Sequence, residues 1–198
     1  MTAVRDPADV DLATVRAALA NHHPRGLVEP TRSRGWQAAT ALVVAPGDSS
    51  LEVALIERVE RPGDRWSGHM ALPGGRRDPQ DADLAETAAR EAQEEVGLRL
   101  EQPIGRLADH GGRISRGVVA NYVFALQARQ ELVPEPSEVA AAWWVPLDRL
   151  FDPVAGTRIR AAGIHFPGID HEGRVIWGLT RAVLHSFAAT VGIDVPRR

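Results

Sequence analysis

The sequence predicts an α/β fold, and three observations carry that expectation. Apolar runs of strand length alternate with helical patterns along the chain, no internal repeat interrupts the alternation, and one acidic helix is delimited by its own start and stop signals. The 198 residues, 44% hydrophobic and 25% charged, suffice for one sizeable core. Residues 1–34 are expected to form an N-terminal helical extension and residues 35–198 the main domain.

The elements follow in chain order. Val10, Leu12, Val15 and Leu19 recur at near-helical spacing over residues 8–20, and "NHHPRG" breaks the pattern. "QAATALVVAP" and "LEVALIER" are strand-length runs on either side of the turn "GDSS", so they predict a hairpin. The Gly/Pro/Arg-rich segment "VERPGDRWSGHMALPGGRRDPQDAD" is too long for an idle connection, and loops of that length are usually functional or disordered. "IGRLADH", "VVANYVFALQ" and "AAWWVPL" predict further strands. A closing helix is expected over 175–190, with Ile176, Leu179, Val183, Leu184 and Phe187 on one side.

The acidic helix is bounded locally at residues 84–96. Asp83 followed by Glu86 resembles a capping box, and Gly97 stands where helices commonly stop. A helix turns about 100° per residue, so Glu91, Glu94 and Glu95 share one edge, while Ala85, Ala89, Ala92 and Val96 form the side expected to lie on a sheet. Like charges so spaced repel, and a solvated stripe is the plain reading of such an edge. The glycine pair in "LPGGRRDPQD" just upstream decides otherwise: Gly74 and Gly75 permit close approach to a ligand, and gathered carboxylates suit a hard divalent cation held against a phosphate.

Other classes are disfavoured. The net charge of −3 offers no basic footprint for a nucleic-acid partner. No cysteine is present, which removes disulfides and thiolate sites and fits a reducing compartment. The first residues lack a secretory pattern, and no apolar run approaches the roughly 18 to 20 residues that span a bilayer. A cytoplasmic protein without a membrane partner is therefore expected, and a homodimer is an assembly left open.

At "REAQEEVGL" the sequence resembles the Nudix hydrolases. Their box has a Gly, five residues, a Glu, seven residues, then Arg-Glu, an apolar residue, any residue, Glu-Glu, any residue, Gly and an apolar residue. Arg90, Glu91, Glu94, Glu95 and Gly97 match its second half. In the first half, five residues after Gly75, Asp81 stands in place of Glu and eight residues precede Arg90, so the loop is one residue longer and Asp81 has no assigned role. The resemblance narrows to the coenzyme A diphosphatase subgroup through "LIERVERPGDRWSGHMALPGG", the Asp-Pro loop "RRDPQDAD" and "VIWGLTRAVL". Leu72 replaces a usual Phe, and Arg58, Arg61 and Arg65 are spaced differently from the subgroup's motif.

The resemblance implies an α/β/α sandwich with a mixed sheet between helices. It also implies Mg²⁺- or Mn²⁺-dependent hydrolysis of a diphosphate in a small nucleotide-derived substrate. Coenzyme A or its thioesters would give 3′,5′-ADP and 4′-phosphopantetheine or its acyl form. Alternatives are ADP-ribose, a dinucleotide, a nucleoside triphosphate, or a non-catalytic binding module of the same fold. Glu91 and Glu95 would be metal ligands with Glu94 sharing the task, Gly75 would lend a carbonyl, and Arg90 would orient Glu94. Glu91 and Glu138 are the candidate bases, and Glu138 is equally a candidate ligand. Gly74, Arg58, Arg61, Arg65, Arg113 and Arg116 form the pool for substrate phosphates. His69 is either an exposed loop residue or a phosphate contact; Trp143 and Trp144 either pack a strand onto the core or stack on an adenine.

Overall fold

The computed structural model describes residues 4–24, 35–61, 68–111, 117–161 and 163–195. After a short 3-10 turn at Pro7–Asp9, helix α1 (Leu12–Ala20) starts at Asp11, whose carboxylate accepts the Thr14 amide at 2.7 Å. Strands β1 (Gln37–Pro46) and β2 (Leu51–Arg58) form the expected antiparallel hairpin, closed by the Gly47 amide on the Ser50 carbonyl at 3.0 Å. Two short strands follow, β3 (Met70–Ala71) and β4 (Gly74–Arg76). Helix α2 (Leu84–Val96) then leads to β5 (Gly105–Gly111), β6 (Val118–Ala125) and β7 (Val139–Pro146).

Eight aligned residue pairs join β1 to β6 in parallel, while the other strand pairs of this seven-stranded sheet are antiparallel, so the sheet is mixed. It is also forked. The β1–β2 register holds at Val44↔Val53 through Pro46↔Leu51. Nearer the start of β1, the segment 70–76 enters between them, β3 pairing with β2 at Ile56↔Ala71 and β4 pairing with β1 at Ala39↔Gly75.

Both faces of the sheet are covered because β1 is apolar on both sides. Ala39, Ala41 and Val43 join Leu84, Ala88, Ala92 and Val96 of α2 in one cluster. Leu42 and Val44 face a second cluster that contains Val15 and Leu19 of α1 and Val183, Leu184 and Phe187 of the closing helix α4 (Gly178–Val191). The layering is the expected helix, sheet, helix sandwich.

Helix α3 (Leu147–Leu150) and a 3-10 turn at Pro153–Ala155 lead into a feature the sequence reading lacked, a separate three-stranded sheet of β8 (Gly156–Ala161), β9 (Ile164–His171) and β10 (Arg174–Trp177). This corrects the closing helix, which begins at Gly178 rather than 175. Residues 174–177 pair with His171–Gly168 instead, and Gly178 at φ 58° ends that strand. Among the described residues, no helix is long and apolar enough to cross a membrane.

Candidate active site

Helix α2 begins and ends where its local signals place it. The Asp83 carboxylate accepts the Ala85 and Glu86 amides at 2.8 and 2.9 Å, and Gly97 adopts a left-handed φ of 72°. Glu86 reaches back to the Ala82 amide at 2.6 Å rather than to Asp83, so the capping box is offset by one residue.

The glutamates do not form one uniform edge. Glu94 is 59% exposed and held by Arg90 Nη1 at 2.7 Å, Glu91 is largely enclosed and meets Arg90 Nη2 at 3.0 Å, and Glu95 is only 2% exposed. The buried stripe of α2 is Leu84, Thr87, Ala88, Ala92, Glu95 and Val96, which corrects the alanine face expected from the wheel and the placing of Glu95 on a free edge. Glu95 can be buried because the fork brings it partners: the Gly74 amide donates to Oε2 at 2.9 Å, and Arg58 Nη1 stands 4.0 Å from Oε1. Burial, with Glu91 and Glu138 nearby, still pushes the Glu95 carboxyl up to about 8. Glu91 is likewise raised by burial and by Glu94 and Glu138, against the opposing pull of Arg90.

Arg90 is anchored from below. Asp81, nearly fully buried, accepts from Arg90 Nε at 2.9 Å and Nη2 at 3.1 Å, from Thr87 Oγ1 at 2.8 Å and from the Asp78 amide at 2.9 Å. The Arg90 hydrogen bond holds the Asp81 carboxyl down at about 2 and raises the guanidinium further. Asp81 therefore fixes the arginine that in turn fixes Glu91 and Glu94.

The fork opens into a cavity of about 590 Å³. Glu91, Glu95 and Glu138 line it, together with Gly74, Gly75, Arg58, Arg61, Arg76 and His69, and the first turn of α4 contributes Gly178, Leu179 and Thr180. A β-bulge between Glu57 and Arg58 shifts the β2–β7 register beside Arg58, and the Val59 amide donates to the Glu138 carbonyl at 2.9 Å, drawing Glu138 toward the same opening. Arg61 donates through Nη2 to the Ser137 carbonyl. Gly75 lies against Glu91: a Cβ there would come within 2.5 Å of its Cδ.

Glu94 is not among the lining residues. Arg65, Arg113 and Arg116 lie outside the described residues. Trp143 and Trp144 serve the core: Arg174 sits 4.6 Å over the Trp143 ring, and Trp144 Nε1 donates to the Gln130 carbonyl at 3.0 Å. His69 packs edge-on against Trp177 with ring centroids 5.0 Å apart. Sequence reasoning missed Trp36, Arg76 and Trp177 as lining residues. The period-two spacing of Trp36, just before β1, with Ala38 and Thr40 on one of its faces was a signal for the first.

Among the described residues, no three acidic or histidine side chains are already drawn into metal-ligand geometry. The donor set nevertheless fits a hard divalent cation: it is all oxygen, and the half-buried Glu91 and buried Glu95 carboxylates, which repel each other, gain from a positive charge nearby.

A glutamate helix seated against a glycine pair in a forked mixed sheet defines a Nudix-type domain. A family model described as the NUDIX domain matches residues 35–164, and the chain belongs to that family. An uncharacterized protein of Schizosaccharomyces pombe is 40% identical over 117 residues, 54% of this chain and 36% of that protein. The chain thus spans about a third of the length of that relative. A Yersinia enterocolitica protein, the uncharacterized Nudix hydrolase NudL, is 32% identical over 145 residues, 65% of this chain and 69% of NudL. In fold, the chain is similar to a MutT/nudix family protein from Enterococcus faecalis (TM-score 0.59, 14% identity, 92% of this chain and 70% of that one). It is also similar to a NUDIX hydrolase from Alicyclobacillus acidocaldarius (TM-score 0.55, 19% identity, 83% and 99%).

Proposed function

We propose that this chain hydrolyses the diphosphate linkage of a nucleoside diphosphate derivative with the aid of Mg²⁺ or Mn²⁺, and that coenzyme A or one of its thioesters is the substrate. The observation that carries the reading is the cavity that Glu91, Glu95, Glu138 and Gly75 line together with Arg58 and Arg61. Bound divalent cations supply neutralisation of the diphosphate oxygens and a lowered pKa for the attacking water. Glu91, Glu95 and the Gly75 carbonyl would hold them, while Glu94, the third glutamate expected to share the task, lies outside the cavity on Arg90. Arg90, itself held by Asp81, keeps Glu91 and Glu94 oriented. Glu91 or Glu138 accepts the proton of the water, and Arg58 and Arg61 receive the phosphates.

Coenzyme A is supported by the resemblance of residues 55–75 and 175–184 to its diphosphatases and by the lining of the cavity. Leu179, half-buried at the first turn of α4 and backed by the core residues Met70, Leu72 and Val183, gives the cavity an apolar lining suited to a pantetheine arm. The 3′-phosphate falls to the same basic pool, Arg58, Arg61, Arg65, Arg113 and Arg116. One charge-assisted contact to that dianion contributes about 1.5 to 3 kcal/mol, or at least roughly tenfold in selectivity.

The test is a panel of coenzyme A, acetyl-coenzyme A, dephospho-coenzyme A, ADP-ribose and nucleoside triphosphates, run with each cation in ¹⁸O-water and read by mass. The highest kcat/KM is expected for a coenzyme A species, with solvent oxygen in one phosphoryl product and complete loss of turnover on chelation. Tenfold better turnover of ADP-ribose or a triphosphate sinks the coenzyme A reading and leaves the hydrolase. Absence of any turnover with either cation leaves a binding module.

A further inference from the structure

One face of β1 runs through the cavity as a row. Trp36, Ala38 and Thr40 all open into it, with Arg76 across from Ala38 and Gly74 across from Thr40. Trp36 stands immediately before β1, and its carbonyl accepts the Val118 amide at 3.1 Å, so its backbone is fixed by the β1–β6 ladder. Its indole lies on Gly117, where any Cβ would overlap the ring. Trp36 is 37% exposed, and the Arg76 guanidinium stands 5.8 Å from its ring centroid.

The other described tryptophans are engaged. Trp177 is held between His69 at 5.0 Å and Phe166 at 5.5 Å, Trp143 lies under Arg174, and Trp144 is tied to Gln130. Trp36 alone among them offers a broad ring surface to the cavity while seated on bare backbone.

We infer that Trp36 is the stacking platform for the nucleobase of the substrate, with Gly117 as its seat and Arg76 as a movable cap. This rests on the diphosphate-hydrolase reading. Trp36 stands three residues before the Ala39–Gly75 pair, about 10 Å at strand rise, and the small Ala38 between them lines the cavity where the sugar would lie. A stacked base outcompetes an exposed cation–π contact, so the exposed Arg76 gives way to it and closes over its far side. Stacking accepts any base because every base has a π face. Trp36 therefore supplies affinity for the nucleoside end, and base identity is selected by other groups.

The test compares binding of ADP and of inorganic pyrophosphate to the full chain with Mg²⁺, by calorimetry. Trp36→Ala and Trp36→Leu are expected to weaken ADP about tenfold or more and to leave pyrophosphate unchanged, while Trp36→Phe recovers most of the loss. Gly117→Ala keeps the indole but unseats it and should resemble Trp36→Ala. Equal weakening of both probes, parental ADP affinity in Trp36→Leu, or no ADP binding by the parent chain overturns the inference. Turnover plays no part in these measurements. A chain that binds ADP through Trp36 yet hydrolyses nothing therefore removes the hydrolase reading and keeps the platform.

Discussion

Alanine at Gly75 and alanine at the neighbouring Gly74 should fail in opposite ways, because a new methyl group meets a movable side chain at one and fixed backbone at the other. At Gly75 the Cβ would come within 2.5 Å of Glu91 Cδ and 2.6 Å of Oε1, so the carboxylate must retreat by about 1 Å to ordinary contact. Side chains yield at little expense, and the stability change should stay under about 1 kcal/mol. A misplacement of that size at a reacting centre can cost about a hundredfold in rate, and the cation requirement should rise with it. At Gly74 the Cβ would strike the Ala39 carbonyl and stand 2.7 Å from Thr40 Cα, at a φ of 153° that side chains rarely adopt. Overpacking against a strand together with that backbone penalty costs about 3 kcal/mol, or roughly 6 to 12 °C in a domain of this size. Calorimetric melting beside cation-titrated turnover separates the two. A Gly75→Ala chain that melts as low as Gly74→Ala, or that keeps the parental rate and cation dependence, would refute the reasoning.

Glu95→Gln keeps an acceptor for the Gly74 amide, so the fold should persist although the side chain is buried, while turnover falls about a hundredfold or more; a parental rate in saturating magnesium removes the ligand assignment. Asp81→Asn frees Arg90 from its anchor and should lower stability by about 2 kcal/mol, roughly 4 to 8 °C. Because the folded Asp81 carboxyl is held at about 2 against 3.8, its contribution is present above pH 3.8 and lost as pH falls toward 2; acid unfolding of the variant should lack that component, and identical acid profiles would contradict it. His185 is held neutral down to about 4 by burial and by Arg181, so stability should decline as pH drops from 6.5 toward 4; His185→Gln should flatten that decline in pH-dependent melting.

What was legible in the sequence is what local chemistry decides. Helix α2 starts at Asp83 and stops at Gly97 because an amide-capping carboxylate and a left-handed glycine act within a few residues of themselves. The β1–β2 hairpin follows from two doubly buried apolar runs around a turn. Burial of Glu95 was not legible, since it depends on the Gly74 amide arriving through the fork from 21 residues away. The second sheet escaped because β8 is exposed or half-buried throughout and lacks an apolar stripe. Asp81 illustrates a compensation that spacing alone conceals. The Asp81 amide turns back onto the Asp78 carbonyl at 3.0 Å, so the extra loop residue carries the shorter carboxylate up to Arg90.

The small sheet of β8, β9 and β10 gives the molecule a way to diversify. It holds Trp177 against the cavity rim and delivers the chain to the first turn of α4, while α2 and the glycine pair belong to the larger sheet. Changes along β9 and β10 can therefore reshape what enters the cavity at that rim without touching Glu91, Glu95 or Arg90. Drift in the smaller sheet would retune the choice of ligand, leaving selection to guard the chemistry in the larger one.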